Sequence, residues 1–186
     1  MARYTARHAV LYGLAHSQLR PASYSQALAA LSIDMNQIAS LLAADTVVAG
    51  LDASSKKRVF EQVGLMFENS QGVARSVVYD ALFAREKLGS TALGLGVAIP
   101  HGRIKGLKQA TAAFLRLAAP VQFDAPDGKP VDLIFVLLVP EAANEQHLQL
   151  LSELAQMFSA RVFREKLAAA ADAEALRAVF AAWQAD

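Results

Sequence analysis

Two histidines, His101 and His147, occur where the chain could present a reactive group. His101 stands between Pro100, which fixes its own φ, and Gly102, which permits unusual backbone angles. His147 is expected near the start of the helix that follows a strongly apolar strand. Ligands of α/β sheets gather beyond the carboxyl ends of strands, so both imidazoles can face one crevice. Taken alone, His101 is equally compatible with a histidine that has no role, and His147 fits an exposed histidine in a first helical turn better than a reactive one.

The chain lacks the patterns of several common site chemistries. It contains no cysteine, which excludes disulfides, thiol catalysis and thiolate metal sites. There is no His-x-x-x-His spacing and no acidic residue beside His101, so no metal site is predicted. The Gly-x-Ser-x-Gly pattern of serine hydrolases is absent. The glycine-rich residues 89–96 match neither dinucleotide-binding nor phosphate-loop patterns, so no cofactor is predicted.

Phosphoryl carriage by histidine fits these residues better. Neutral imidazole is a nucleophile near pH 7 and can hold a phosphoryl group covalently. Such a site needs donors that neutralise the phosphoryl oxygens. Arginine suits this task because its planar guanidinium can bind two oxygens at once. The available donors are Arg85, Ser90, Thr91, the backbone amides near Gly102, and His147.

Apolar periodicity and turn residues predict an α/β domain that would position these groups. A strand over 131–139 is apolar throughout, as expected of a central strand covered on both faces. Shorter strands are predicted over 97–99 and 111–117. The predicted helices cover 36–42, 52–68 with Asp52 as N-cap, 73–88 with Gly89 as its end, 141–158 with Asn144 as N-cap, and 172–183 with Asp172 as N-cap.

Size, hydrophobic content and charge exclude several further classes of protein. The chain has 186 residues, of which 54% are hydrophobic, and this favours a single domain with a sizeable core. The apolar run at 133–139 is far shorter than the roughly 20 residues of a membrane span. The 18 basic and 17 acidic residues nearly balance, without the basic cluster of nucleic-acid-binding proteins. We therefore predict a cytoplasmic protein with no nucleic-acid partner and no membrane insertion.

Residues 1–34 differ from the rest because they are rich in Arg and Ser and carry no acidic residue before Asp34. Three interpretations are open: a transit peptide, an extension upstream of a natural start at Met35, or a short extra helix over 25–33. We favour the last two and expect the functional domain at 35–186.

Residues 85–102, REKLGSTALGLGVAIPHG, resemble the signature of enzyme IIA domains of the mannitol/fructose type. These domains belong to the phosphoenolpyruvate-dependent phosphotransferase system. The Gly-Ser-Thr run and residues 130–140, PVDLIFVLLVP, are most similar to the nitrogen-regulatory branch. The resemblance covers about Met35 to Trp183, and residues 1–34 have no counterpart in it.

The resemblance implies a mixed sheet flanked by helices on both faces. It implies that His101 is the phosphoacceptor and that Arg85 and His147 lie beside it and help bind the phosphoryl group. Ser90, Thr91 and Gly102 would support binding. The donor would be a phosphorylated HPr-type protein, itself charged by an enzyme I. The nitrogen-regulatory branch would then signal to targets such as transporters or kinases by its phosphorylation state.

Two alternatives remain at this point. The chain could be a sugar-specific enzyme IIA that passes the phosphoryl group to a separate IIB protein, since it has no cysteine to act as a IIB acceptor. It could also be an interaction module whose His101 is never phosphorylated.

Overall fold

The structure is a computed structural model that describes residues 36–142 and 145–184, apart from the side chain of Gln146. Six helices and six strands lie within these residues. The helices are α1 (Gln37–Ser40), α2 (Lys56–Gln71), α3 (Arg75–Glu86), α4 (Glu145–Ser159), α5 (Arg161–Ala169) and α6 (Ala173–Ala181). The strands are β1 (Leu42–Leu51), β2 (Ala92–Gly94), β3 (Val97–Ala98), β4 (His101–Ile104), β5 (Thr111–Val121) and β6 (Val131–Pro140).

The strands form one mixed sheet around β6. Their order is β1-β5-β6-β3-β2, and β4 also pairs with β6. Strand β5 is antiparallel to β6, whereas β3 and β4 run parallel to β6 along the same side of it. The apolar strand predicted over 131–139 is thus central, and the predicted α/β class with a mixed sheet is confirmed.

Alternating residues of the central strands pack their side chains into two separate apolar cores. Phe114 and Phe135 face one core, which contains the buried side chains of α1, α4, α5 and α6. Leu115 and Ile134 face the other core, which contains those of α2 and α3. Because both faces are covered, every residue of β6 between Leu133 and Val139 is buried. Helices on both faces were predicted and are confirmed.

Several predicted element boundaries were wrong. Leu42, predicted as the end of the 36–42 helix, and residues 43–51, for which no element was predicted, together form β1, which pairs in parallel with β5. Helix α2 begins at Lys56 with Ser55 as N-cap instead of Asp52, since the Ser55 hydroxyl accepts from the Arg58 amide. Helix α3 covers a shorter range than the predicted 73–88, and its Val77 is 45% exposed.

The C-terminal helices agree in part with the prediction. Asp172 caps α6 as predicted, its carboxylate accepting from the Ala175 amide at 2.8 Å. Helix α5 was not predicted. The Asn144 N-cap and the 25–33 helix lie outside the described residues. None of the helices in the described part of the chain has the length and apolar character that crossing a membrane requires.

Arg116 on β5 ties the sheet to the end of α5. Its Nη1 donates to the carbonyls of Leu167 at 3.1 Å and Ala168 at 3.0 Å, and also to that of Ala170. These are carbonyls that a helix leaves unpaired at its C-terminus, where a positive charge is also favourable.

We expect Arg116→Met to lower the free energy of unfolding by about 2 kcal/mol, because three carbonyls, two of them in partly buried contacts, lose a charged donor. Chemical denaturation measures the change. The matched control is Arg161→Met at the exposed start of α5, which should change stability by less than about 0.5 kcal/mol. Equal effects of the two variants would contradict this role of Arg116.

Candidate functional site

His101 is the first residue of β4. Within the described residues β4 pairs with β6 alone, so β4 is an edge strand and His101 lies at its start. The next residue, Gly102, packs against α3: a Cβ there would lie 3.0 Å from the Cβ of Ala81. Glycine therefore lets α3 approach β4 closely, and the end of α3 reaches the imidazole.

The imidazole of His101 is held through both ring nitrogens. Nδ1 lies 2.9 Å from the carbonyl oxygen of Ile99, which can only accept, so Nδ1 carries the proton. Nε2 accepts a hydrogen bond of 2.9 Å from Nε of Arg85, in the last turn of α3. Arg85 also donates through Nη1 to the carbonyl of Gly89 at 3.0 Å. The ring is thus fixed in the tautomer whose Nε2 carries a lone pair, and that lone pair accepts the Arg85 hydrogen bond.

His147 lies beside His101, as the sequence predicted. The two rings meet edge-on with centroids 5.4 Å apart. His147 comes from the first turn of α4 and is 8% exposed. Its Nε2 is buried and has no hydrogen-bond partner among the described residues.

Ser90 and Thr91 line a cavity of about 190 Å³ together with Arg85 and His101. Their hydroxyl protons are already used. Ser90 donates to the carbonyl of Phe123 at 2.6 Å, and Thr91 donates to the Glu86 carboxylate at 2.6 Å. The structure brings both residues to the site, but with their hydroxyl groups engaged in holding the loop before β2.

Glu86 was given no role in the sequence analysis. Its side chain is 6% exposed and forms an ion pair of 2.7 Å with Lys56 of α2. Its position next to Arg85 in the signature was a signal that could have drawn attention to it. Its partner Lys56 lies 30 residues earlier and carries no local signal.

Both histidines are held towards the neutral state. Burial lowers the pKa of His101, and the Arg85 charge adds to this, whereas the Ile99 hydrogen bond and Glu86 oppose it. Burial also lowers the pKa of His147, with further lowering by His101, Arg103 and Arg85. A neutral imidazole beside a guanidinium group, such as His101 beside Arg85, can act as a nucleophile towards an anionic group.

We expect the imidazoles of His101 and His147 to titrate below the ordinary histidine pKa of about 6.5 in an NMR pH titration. Because the pKa is lowered, the neutral fraction of His101 stays high at neutral pH. It falls only as the pH falls through the lowered pKa, and the capacity to accept a phosphoryl group falls with it. The same signals in denaturant serve as the control. A midpoint above 6.5 in the folded chain would contradict this electrostatic account.

Comparison with known proteins assigns this chain to a family. Residues 40–183 match the family described as "Phosphoenolpyruvate-dependent sugar phosphotransferase system, EIIA 2". The chain belongs to this family. The family takes part in phosphoryl transfer, so the phosphocarrier function predicted from the sequence is confirmed at that level.

Individual relatives agree with this membership. A nitrogen regulatory protein of Pseudomonas aeruginosa is 46% identical over 143 residues, covering 76% of this chain and 93% of the relative. The crystal structure of nitrogen regulatory protein IIA-Ntr from Neisseria meningitidis is 53% identical with a TM-score of 0.73, covering 77% of this chain and 98% of that one. The predicted similarity to the nitrogen-regulatory branch is confirmed.

A more distant structure shares the fold. It is the complex of mannitol enzyme IIA and phosphorylated enzyme IIB from Escherichia coli, and its matching chain is 21% identical with a TM-score of 0.64. The match covers 77% of this chain and all of that one.

Proposed function

We propose that this chain is a phosphocarrier of the nitrogen-related phosphotransferase system and that His101 accepts the phosphoryl group from a phosphorylated HPr-type protein. The observation that carries the proposal is the pair of contacts on His101. The Ile99 carbonyl holds the proton on Nδ1, and Arg85 donates to Nε2. Nε2 is therefore the nucleophilic atom, and a cation already lies beside it.

In the proposed step the electron pair of Nε2 forms a bond to phosphorus. The bond between phosphorus and the donor protein breaks, and its electron pair stays on the donor. Nδ1 keeps its proton, and the Ile99 carbonyl stabilises the positive charge that develops on the ring. The guanidinium of Arg85 releases Nε2 and turns its N–H groups to the phosphoryl oxygens.

His147 would contribute a second donor. Its buried Nε2 lacks a partner among the described residues, and a proton there could be donated to a phosphoryl oxygen. We assign Ser90, Thr91 and Gly102 a supporting role through the shape of the site. Ser90 and Thr91 hold the loop that lines the cavity, and Gly102 lets α3 approach. No metal and no cofactor enters this step.

The phosphorylation state would be the signal. A phosphoryl group adds about two negative charges at a partly buried edge of the sheet, which can reverse a docking preference. The nitrogen-regulatory names of two relatives support signalling of this kind. The proposed targets are transporters or kinases, and the proposed location is the cytoplasm.

A second candidate is a sugar-specific enzyme IIA that passes the phosphoryl group to a separate IIB protein. This candidate is favoured by the description of the family as a sugar phosphotransferase system and by the solved mannitol IIA–IIB complex. Transfer from the phosphorylated chain to a IIB protein, together with loss of sugar uptake on deletion, would support this candidate over the first.

We also propose that residues 35–186 form the carrier domain and that residues 1–34 are an extension. The family match, which begins at residue 40, supports this division. A chain that begins at Met35 should fold and accept a phosphoryl group at the rate of the full chain. Loss of folding in that chain would make residues 1–34 part of the domain.

The function is tested by incubating the full chain with phosphoenolpyruvate, enzyme I and an HPr-type carrier, followed by intact-mass measurement. We expect an acid-labile gain of one phosphoryl group that disappears when the HPr-type carrier is omitted. If the carrier becomes phosphorylated and the chain gains nothing, the phosphocarrier function is wrong and the interaction-module interpretation takes its place.

A further inference from the structure

Glu86, the last residue of α3, has an almost buried carboxylate on which three donors converge. Oε2 accepts from the backbone amide of Thr91 at 3.1 Å and from its hydroxyl at 2.6 Å. Oε1 accepts from Nζ of Lys56 at 2.7 Å. A carboxylate this buried is stable only when its charge and its hydrogen-bonding capacity are satisfied, and both oxygens here are engaged.

These contacts hold the segment that connects α3 to β2. Glu86 holds the far end of the segment at Thr91, and the Gly89 carbonyl within it accepts from Nη1 of Arg85. The same guanidinium donates through Nε to His101. The direction of Arg85 is therefore set by two anchors, and one of them, Gly89, is held in place by Glu86 through Thr91.

The carboxylate of Glu86 forms an ion pair with Lys56. An unpaired carboxylate this close to an incoming phosphoryl dianion would oppose binding. Lys56 offsets part of this charge, and it also contacts Asp124 at 2.8 Å. The ion pair thus reduces the repulsion between Glu86 and a phosphoryl group.

We propose that Glu86 is a positioning residue of the phosphoryl-transfer site: through Thr91 it fixes the segment whose Gly89 carbonyl orients Arg85 towards His101. The inference rests on the proposed function of His101. It assigns Glu86 no contact with the phosphoryl group or with the donor protein. Its effect passes through Arg85 and should vanish when Arg85 is absent.

A double-mutant cycle on the full chain tests this dependence. Glu86→Gln keeps the size of the side chain but cannot serve Lys56 and Thr91 together with acceptor oxygens. We expect it to lower the maximal rate of transfer from the HPr-type donor about tenfold, a coupling usual for residues in one network. The donor concentration that gives half-maximal rate should stay unchanged. In the Arg85→Ala background, Glu86→Gln should have no further effect.

The control is Asp124→Asn, which removes the outer carboxylate on Lys56 and leaves Glu86 and Thr91 in contact. Asp124 has a side chain that is 85% exposed, and we expect an unchanged transfer rate. If Glu86→Gln fails to fold, Thr91→Val takes its place in the cycle, because it removes the hydroxyl contact alone.

The nitrogen NMR signal of His101 Nε2 in the unphosphorylated chain gives a readout that does not depend on transfer. In Glu86→Gln it should move towards its position in Arg85→Ala, because the Arg85 hydrogen bond is weakened. An unchanged signal, or equal slowing by Glu86→Gln with and without Arg85, would overturn the proposal. If the wild-type chain accepts no phosphoryl group, the proposed function fails, and the Nε2 signal still decides the role of Glu86.

Discussion

Replacing His101 with alanine should abolish phosphoryl acceptance, with no gain in intact mass under conditions that phosphorylate the wild-type chain. The reason is chemical: the substitution removes the nucleophilic Nε2, and the chain has no cysteine to replace it. The fold should persist, since His101 is only partly buried at an edge strand. The free energy of unfolding should therefore change little compared with the loss of activity.

A matched control comes from the remaining histidines. His8→Ala removes an imidazole from residues 1–34, outside the family match, and should accept a phosphoryl group like the wild type. Full phosphorylation of His101→Ala would mean that the acceptor was assigned wrongly. Loss of acceptance in both variants would point to a general defect instead of a missing acceptor.

Replacing Arg85 with alanine is expected to slow phosphoryl transfer by about 100-fold or more, the usual effect of losing a hydrogen-bond donor to a developing anion. Arg85→Lys should lie between the alanine variant and the wild type. Lysine keeps a positive charge but lacks the planar fork that reaches Gly89 and His101 together. Single-turnover rates from the phosphorylated HPr-type donor measure both effects.

The electrostatic effect of Arg85 on His101 can be measured separately from the transfer rate. The positive charge of Arg85 lowers the pKa of His101, so Arg85→Ala should raise that pKa in an NMR titration. Arg58→Ala, which removes an exposed guanidinium from α2, is the control and should leave both the rate and the pKa unchanged. A lysine variant as slow as the alanine variant would show that geometry alone matters. An alanine variant as fast as the wild type would remove Arg85 from the site.

The fold could be predicted where local pattern and burial coincide. The run in β6 is apolar on both faces because it lies between two cores, and Asp172 caps α6 through a local hydrogen bond. Strand β1 was missed because three successive residues after Leu42 are exposed, which hides its alternation, and its partner β5 is distant in sequence. Helix α5 was missed because it is short and its N-cap, Ala160, forms no side-chain hydrogen bond.

For the candidate site too, some features could be predicted from the sequence and others could not. Residue types and the family signature identified Arg85, His101 and His147, which the structure brings together, while their roles stay predictions. The tautomer of His101 could not be predicted, because it depends on the position of the Ile99 carbonyl. The engagement of the Thr91 hydroxyl with Glu86, and of Glu86 with Lys56, depends on how α2 and α3 pack.

The central claim is that Nε2 of His101 holds the phosphoryl group. The most direct measurement is phosphorus–nitrogen NMR of the nitrogen-labelled chain after phosphorylation by the HPr-type donor. Our account predicts phosphorus coupled to Nε2 of His101 and a proton retained on Nδ1, which faces the Ile99 carbonyl. Phosphorus bonded to Nδ1, or to any residue other than His101, would contradict it.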